Sequence, residues 1–168
     1  MEHLDIEIVK DWLQGYSERE KELLYFREQY ERLQSSGDSP KAATITGLPK
    51  GPGPSLDRIG NFLQRKEELE AQLVERFEKA KETRAQIEAV LRYVKKADCR
   101  MVIRFRYIDR MGWDEITETL FITEPELLEK FDSYKRRVFG YHRKALEEMT
   151  EAIASGKNGV PSLVEIAA

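Results

Sequence analysis

Between Gly47 and Pro54 six of the eight residues are glycine or proline, namely Gly47, Pro49, Gly51, Pro52, Gly53 and Pro54. Proline removes the amide donor that a helix needs and glycine adds backbone entropy, so no helix runs through this stretch. Just upstream, Ser35-Ser36-Gly37-Asp38-Ser39-Pro40 is itself a helix stop. Residues 36–54 therefore read as a stiff extended linker that divides the chain. The run Ile45-Thr-Gly-Leu-Pro-Lys-Gly-Pro-Gly-Pro54 invites comparison with a phosphate-binding loop. Such a loop follows a buried strand and ends in Gly-Lys-Ser/Thr, and neither requirement is met.

On either side of the linker the apolar residues recur at helical spacing. In residues 1–35, Ile8, Val9, Trp12, Leu13, Tyr16, Leu23, Phe26, Tyr30 and Leu33 predict one amphipathic helix over 5–34, with a break conceivable only at Gly15. In residues 55–97, Ser55 offers an N-cap, and Ile59, Lys66, Leu73, Ala80, Ile87 and Val94 recur every seven residues. Phe62, Leu69 and Val90 fall midway between members, with Leu63, Phe77 and Leu91 beside them, which predicts a coiled-coil-like helix to Lys96. Two such helices can fold back as a hairpin, or the arm can pair with a second chain as a homodimer. The spacing is compatible with both.

Composition agrees with long solvated helices around a small core. Charged residues make up 35% of the 168, against roughly 25% in ordinary globular chains. The net charge of −3 argues against a surface that binds nucleic acid everywhere, so charge has to be read locally. A single cysteine, Cys99, excludes an internal disulfide and a structural zinc site, and suits a reducing compartment. No apolar run reaches the roughly 18 residues of a membrane span, and Met1-Glu2-His3-Leu4-Asp5 lacks the pattern of a signal peptide. A soluble, cytoplasmic protein with no membrane partner is expected.

Residues 98–150 carry the local charge signal. Asp98 can cap a helix to Ile108, with Met101, Val102, Phe105 and Ile108 inward and Arg100, Arg104 and Arg106 elsewhere. Met111-Gly112 makes a turn, and Trp113, Ile116 and Leu120 define the apolar face of a second, short helix. A turn at Phe121-Ile122-Thr123 follows. Thr123-Glu-Pro-Glu126 then has the form of a capping box and would start a helix with Leu127, Leu128 and Phe131 inward, while Asp132-Ser133 offers another cap. The third helix reads Tyr134-Lys-Arg-Arg-Val-Phe-Gly-Tyr-His-Arg-Lys-Ala-Leu146, with Val138, Tyr141 or His142, Ala145, Leu146 and Met149 as its buried side.

Basic and aromatic residues alternating at the front of a third helix suit entry into a DNA groove, where Lys and Arg neutralise phosphates and Arg can bond guanine. The candidate DNA contacts are Tyr134, Lys135, Arg136 and Arg137 for phosphates and base edges, Arg143 and Lys144 for backbone, and Arg104 and Arg106 on the neighbouring helix.

The run Arg104-Phe-Arg-Tyr-Ile-Asp-Arg-Met-Gly-Trp-Asp-Glu-Ile116, with His142-Arg-Lys-Ala-Leu146 after a gap, resembles the fourth region of bacterial sigma factors. More broadly, residues 5–150 are similar to phage-encoded regulators of Gram-positive bacteria of the ArpU and RinA late-gene activator type. That resemblance implies an all-α fold, a helical arm followed by a sigma-like helix-turn-helix. It also implies a regulator that binds double-stranded DNA in the bacterial host cytoplasm. One departure stands out, because Glu124 to Asp132 are inserted before the recognition helix and are acidic.

The competing reading is a helical interaction protein that binds RNA polymerase or another protein with little DNA affinity of its own. No enzyme is expected, and no cofactor or metal, since His3 and His142 belong to no ligand or nucleophile constellation. Residues 151–168, with Ser155-Gly-Lys-Asn-Gly-Val-Pro161, are expected to be a flexible tail.

Overall fold

The computed structural model describes residues 2–37 and 56–167, and the linker reading of 36–54 and the Ser55 cap fall largely outside them. Every regular element among the described residues is helical. They are α1 (Glu2–Gly37), α2 (Leu56–Leu91), α3 (Ala97–Ile103) continued by a π-helical turn (Arg104–Ile108), α4 (Trp113–Phe121), α5 (Phe131–Ala154) and α6 (Leu163–Ala167). The chain is all-α, as its periodicity requires. Among the described residues no helix is long and apolar enough to cross a membrane.

These elements form two compact units, one of residues Arg19–Ala80 and one of Met1–Glu18 with Lys81–Ala168. The expected division at residue 98 is thus not where the structure divides. The first unit is a pair of helices. Leu23, Phe26, Tyr30 and Leu33 of α1 and Phe62, Lys66, Leu69, Leu73 and Arg76 of α2 are half-buried or, at Ala80, fully buried, at three- and four-residue steps. The Arg76 guanidinium donates to Glu22 at 2.9 Å and lies 4.2 Å from the centre of the Phe26 ring. Glu22 stands at the beginning of the α1 portion and Arg76 near the end of the α2 portion, so the two run antiparallel. Gly15 does not interrupt α1.

The second unit has two apolar clusters. The larger joins Val9, Trp12, Leu13 and Tyr16 of α1 to Ile87, Val90 and Leu91 of α2, Cys99 and Ile103 of α3, and Ala145, Leu146, Met149 and Ile153 of α5. The smaller is made by Val102, Ile116, Phe121, Tyr134 and Val138, with Phe105, Trp113 and Leu127 against it. Burying a large aliphatic side chain is worth about 1.5–3 kcal/mol, so the larger cluster dominates stability. The front of α5 belongs to one cluster and its rear to the other.

Several expectations are corrected here. Helix α2 ends at Leu91 and not at Lys96, because Arg92 and Tyr93 form a turn with Tyr93 and Val94 amides donating to Val90 and Leu91 carbonyls. One nearby and one distant partner then hold the extended segment: Arg100 donates to the carbonyls of Val94 and Lys95 at 2.7 and 2.9 Å, and the Lys95 amide donates to Glu148 of α5 at 2.8 Å. Val94 stays fully buried outside the helix. Asp98 caps nothing; Lys96 is the N-cap residue, and Asp98 lies in the first turn, 3.3 Å from the Lys96 ammonium.

The inward side of α3 also differs. Cys99, Val102, Ile103 and Tyr107 are buried, Phe105 and Ile108 only partly, and Met101 is exposed. The helix is wedged between two clusters, so it buries two sides where a single stripe was expected. The turn before α4 is centred on Arg110, whose φ is +59°, while Gly112 is extended at φ −71°. No helix starts at Thr123. Residues 124–130 make successive turns, and α5 begins at Phe131 with Lys130 before it, so neither Asp132 nor Ser133 is its cap. Leu128, expected inward, is 92% exposed.

The C-terminal residues are packed where a loose tail was expected. Helix α5 continues to Ala154, and Val160, Leu163 and Ile166 lie against the larger cluster. The Tyr93 hydroxyl donates to the Asn158 carbonyl at 3.1 Å. Ser162 and Glu165 form a reciprocal cap at the start of α6.

Candidate nucleic-acid interface

Helices α3, α4 and α5 pack together, with α5 against both of the others. Helix α4 is seated by Ile116, Thr117 and Phe121, all buried. The Thr117 hydroxyl is satisfied by the Trp113 carbonyl at 2.7 Å. Glu115 accepts from the Gly112 amide at 3.3 Å, half of a capping box in which glycine has no side chain to return the bond. Trp113 is half-buried and meets Phe139 and His142 edge-on, each with ring centres 5.0 Å apart. It anchors α4 to α5, as its spacing predicts.

With Val138, Ala145 and Met149 facing inward, the helical period turns Ser133, Arg136, Gly140 and Arg143 directly outward. Arg137 and Lys144 flank this ridge on one side and Phe139 on the other. Arg136, Arg137, Arg143 and Lys144 are all exposed. Gly140 has open space where a Cβ would stand, so the ridge is low between Arg136 and Arg143. Arg137 is ordered over the rings of Phe121 and Tyr134, at 4.8 and 5.4 Å from their centres, and donates to the Tyr141 hydroxyl at 3.4 Å. Stacking of this kind holds a guanidinium without neutralising it.

The remaining predicted contacts are engaged by the protein itself. Tyr134 is buried in the smaller cluster and presents no face to a ligand. Lys135 pairs with Asp114 of α4 at 2.6 Å and is 31% exposed. Arg104 forms a bidentate pair with Glu88 of α2, at 3.1 and 2.6 Å. The Arg104 hydrogen bond holds the Glu88 carboxyl below its ordinary range. Arg106 donates to the Met111 carbonyl at 3.1 Å and lies 4.7 Å from the centre of the Trp113 indole, which ties the turn to α4. The structure therefore gathers Arg136, Arg137, Arg143 and Lys144 on one surface and leaves Tyr134, Lys135, Arg104 and Arg106 with internal work. Gly140 was not among the expected contacts; its place in the middle of a basic helix was the available signal.

Acidic groups bound the ridge at its rear. A groove of about 1140 Å³ between α1 and α5 is lined by Asp5, Glu7, Glu147 and Glu151 as well as Lys10 and Arg143. Arg143 is paired with Glu147 at 3.0 Å although its side chain is 84% exposed. A phosphate track along α5 would therefore end near Arg143. At the front, the turns of residues 122–130 leave Ile122 76% and Leu128 92% exposed.

Beneath the ridge, His142 is 2.9 Å from the Tyr107 hydroxyl. Burial pushes the imidazole down to about 4 and the phenol up to about 12, so both are neutral at pH 7. Burial also raises the Cys99 thiol, which makes it a poor nucleophile. Among the described residues no group of His, Cys, Asp and Glu is arranged to hold a metal ion.

The chain is similar over residues 57–134 to a family described as a protein of unknown function, DUF1492. The matched stretch runs from α2 through α3 and α4 and stops in the first turn of α5, ahead of the basic ridge. No curated protein and no solved structure matches the chain.

Proposed function

We propose that the protein is a DNA-binding transcription regulator of phage or mobile-element origin, acting on double-stranded DNA through a sigma-like helix-turn-helix. A late-gene activator is the role that the resemblance favours, and the reading includes no catalysed step. The observation that carries it is the outward ridge of α5. Arg136, Arg137, Arg143 and Lys144 stand exposed on a helix whose opposite side is fixed by Val138, Ala145 and Met149. A rigid helix with a basic outer face and a low point at Gly140 can approach a groove closely, with phosphate contacts setting register and Arg136 reaching base edges.

Titration of duplex DNA from the neighbouring operon at two salt concentrations tests the reading. Affinity should fall steeply with salt, and Arg136→Ala with Arg143→Ala should flatten that dependence by about one phosphate per residue. Binding that is absent, or indifferent to both salt and these arginines, would overturn it. A second reading is favoured by Ile122 and Leu128, which stand bare beside the acidic Glu124, Glu126 and Glu129. In it, the inserted turns dock on RNA polymerase or another protein. Loss of partner binding in Leu128→Asp, with duplex affinity unchanged, would favour that role.

A further inference from the structure

Helix α2 carries a second apolar stripe that its packing within residues 19–80 leaves bare. Ile59, Leu63, Val74 and Phe77 are 48, 51, 60 and 55% exposed. With Lys66 and Glu70 between them they follow one another at three- and four-residue steps, so all six share one side of the helix. That side flanks the positions Phe62, Leu69, Leu73 and Arg76 that face α1, and the half-buried Lys66 stands at the border of the two. Four large apolar side chains in a line of about 27 Å are more than scattered surface residues, and they mark an interaction face.

The order along the stripe says what covers it. Read from either end it runs apolar, apolar, charged, charged, apolar, apolar. Turned end for end against itself about Glu68, Ile59 meets Phe77 of the other copy, Leu63 meets Val74, and Lys66 meets Glu70. A symmetric contact makes each of these pairs twice. In a parallel pairing Lys66 would face Lys66 and Glu70 would face Glu70, which is repulsive. Neither Lys66 nor Glu70 has an ion-pair partner among the described residues. We infer that the protein is a homodimer in which the α2 helices pack antiparallel through Ile59, Leu63, Lys66, Glu70, Val74 and Phe77. Two helical hairpins then complete a four-helix arrangement, which neither can form alone.

Sedimentation equilibrium of the full chain should give twice 19.6 kDa at micromolar concentration. Lys66→Glu places like charges in both central pairs and should weaken the dimer by about tenfold. Lys66→Glu combined with Glu70→Lys should restore it. Glu70 is exposed and Lys66 is partly exposed, neither lying in the buried core, so circular dichroism should show the fold retained. Orientation is read with a short bismaleimide: Leu63→Cys with Val74→Cys should cross-link, and Leu63→Cys alone should not, its two copies lying about 16 Å apart along the helix axis. Cys99 is fully buried and does not compete. A monomer overturns the inference and leaves the stripe to a different protein. So do a dimer indifferent to Lys66→Glu and efficient cross-linking by Leu63→Cys alone.

Discussion

The Tyr107 hydroxyl and the His142 imidazole lie 2.9 Å apart at the place where the two apolar clusters meet. Tyr107 belongs to the larger cluster, and His142 packs edge-on against Trp113 at the margin of the smaller. The pair lets a polar bond cross a region that would otherwise have to be wholly apolar, with neither group ionised.

A pH dependence follows. Folding lowers the imidazole from its ordinary 6.5 to about 4, so between those values the unfolded chain binds the proton and the folded chain resists it. Stability from this source is complete above pH 6.5 and is lost as pH falls toward 4, by about 3 kcal/mol in all. Urea unfolding at pH 7 and pH 4.5 should show the loss, and His142→Gln should remove most of the difference between them.

Arg104 and Glu88 tie the π-helical turn to α2, and a double-mutant cycle should find them coupled. Both side chains remain more than a third exposed, so the coupling should be about 1 kcal/mol or less and should shrink in salt. A duplex affinity that falls with Arg104→Gln while the fold is intact would give Arg104 a role at the DNA that its pairing does not suggest.

Arg110 holds a left-handed backbone at φ +59°, a conformation that costs a residue with a Cβ about 1–2 kcal/mol. Arg110→Gly relieves this and loses some of the gain to unfolded-state entropy. Thermal unfolding should shift upward by an amount worth up to about 1 kcal/mol. The same change at Gly112, whose φ is −71°, has no such origin.

The long helices are legible because their apolar spacing is local. Where a helix has two neighbours the reading failed, as at α3, whose buried side was predicted from one stripe and is shared between Val102 on one cluster and Ile103 on the other. The end of α2 is illegible for a different reason, since Glu148, which holds the Lys95 amide, is 53 residues away in sequence. The same capping motif fails at one place and works at another. At Thr123-Glu-Pro-Glu126 the proline follows the first helical position and drives Glu124 out of helical geometry. Ser162-Leu-Val-Glu165 has the same form without the proline, and it caps α6. In the candidate site, Arg136 and Arg143 were recognisable from charge and period. That Lys135 answers Asp114, or that Tyr134 is buried, depends on where α4 lies.

Gly140 is a glycine inside a helix with nothing near its missing Cβ. Gly140→Ala should therefore stabilise the fold by about 1 kcal/mol, measurable as a higher melting temperature. If the ridge approaches DNA as proposed, Gly140→Leu should keep the helix and weaken duplex binding by about tenfold or more, because the added side chain holds the backbone away.

The rear of α5 is covered by the ends of the two long helices, with Leu146 and Met149 in the same cluster as Val9, Leu13 and Ile87. The seam between arm and head thus passes through the middle of a core, and the chain cannot be cut at residue 97 into separable parts. A fragment of residues 98–150 would carry α3, α4 and most of α5 yet present Ile103, Ala145, Leu146 and Met149 to water. Whatever the basic ridge binds, the ends of α1 and α2 are part of the apparatus that keeps it in shape.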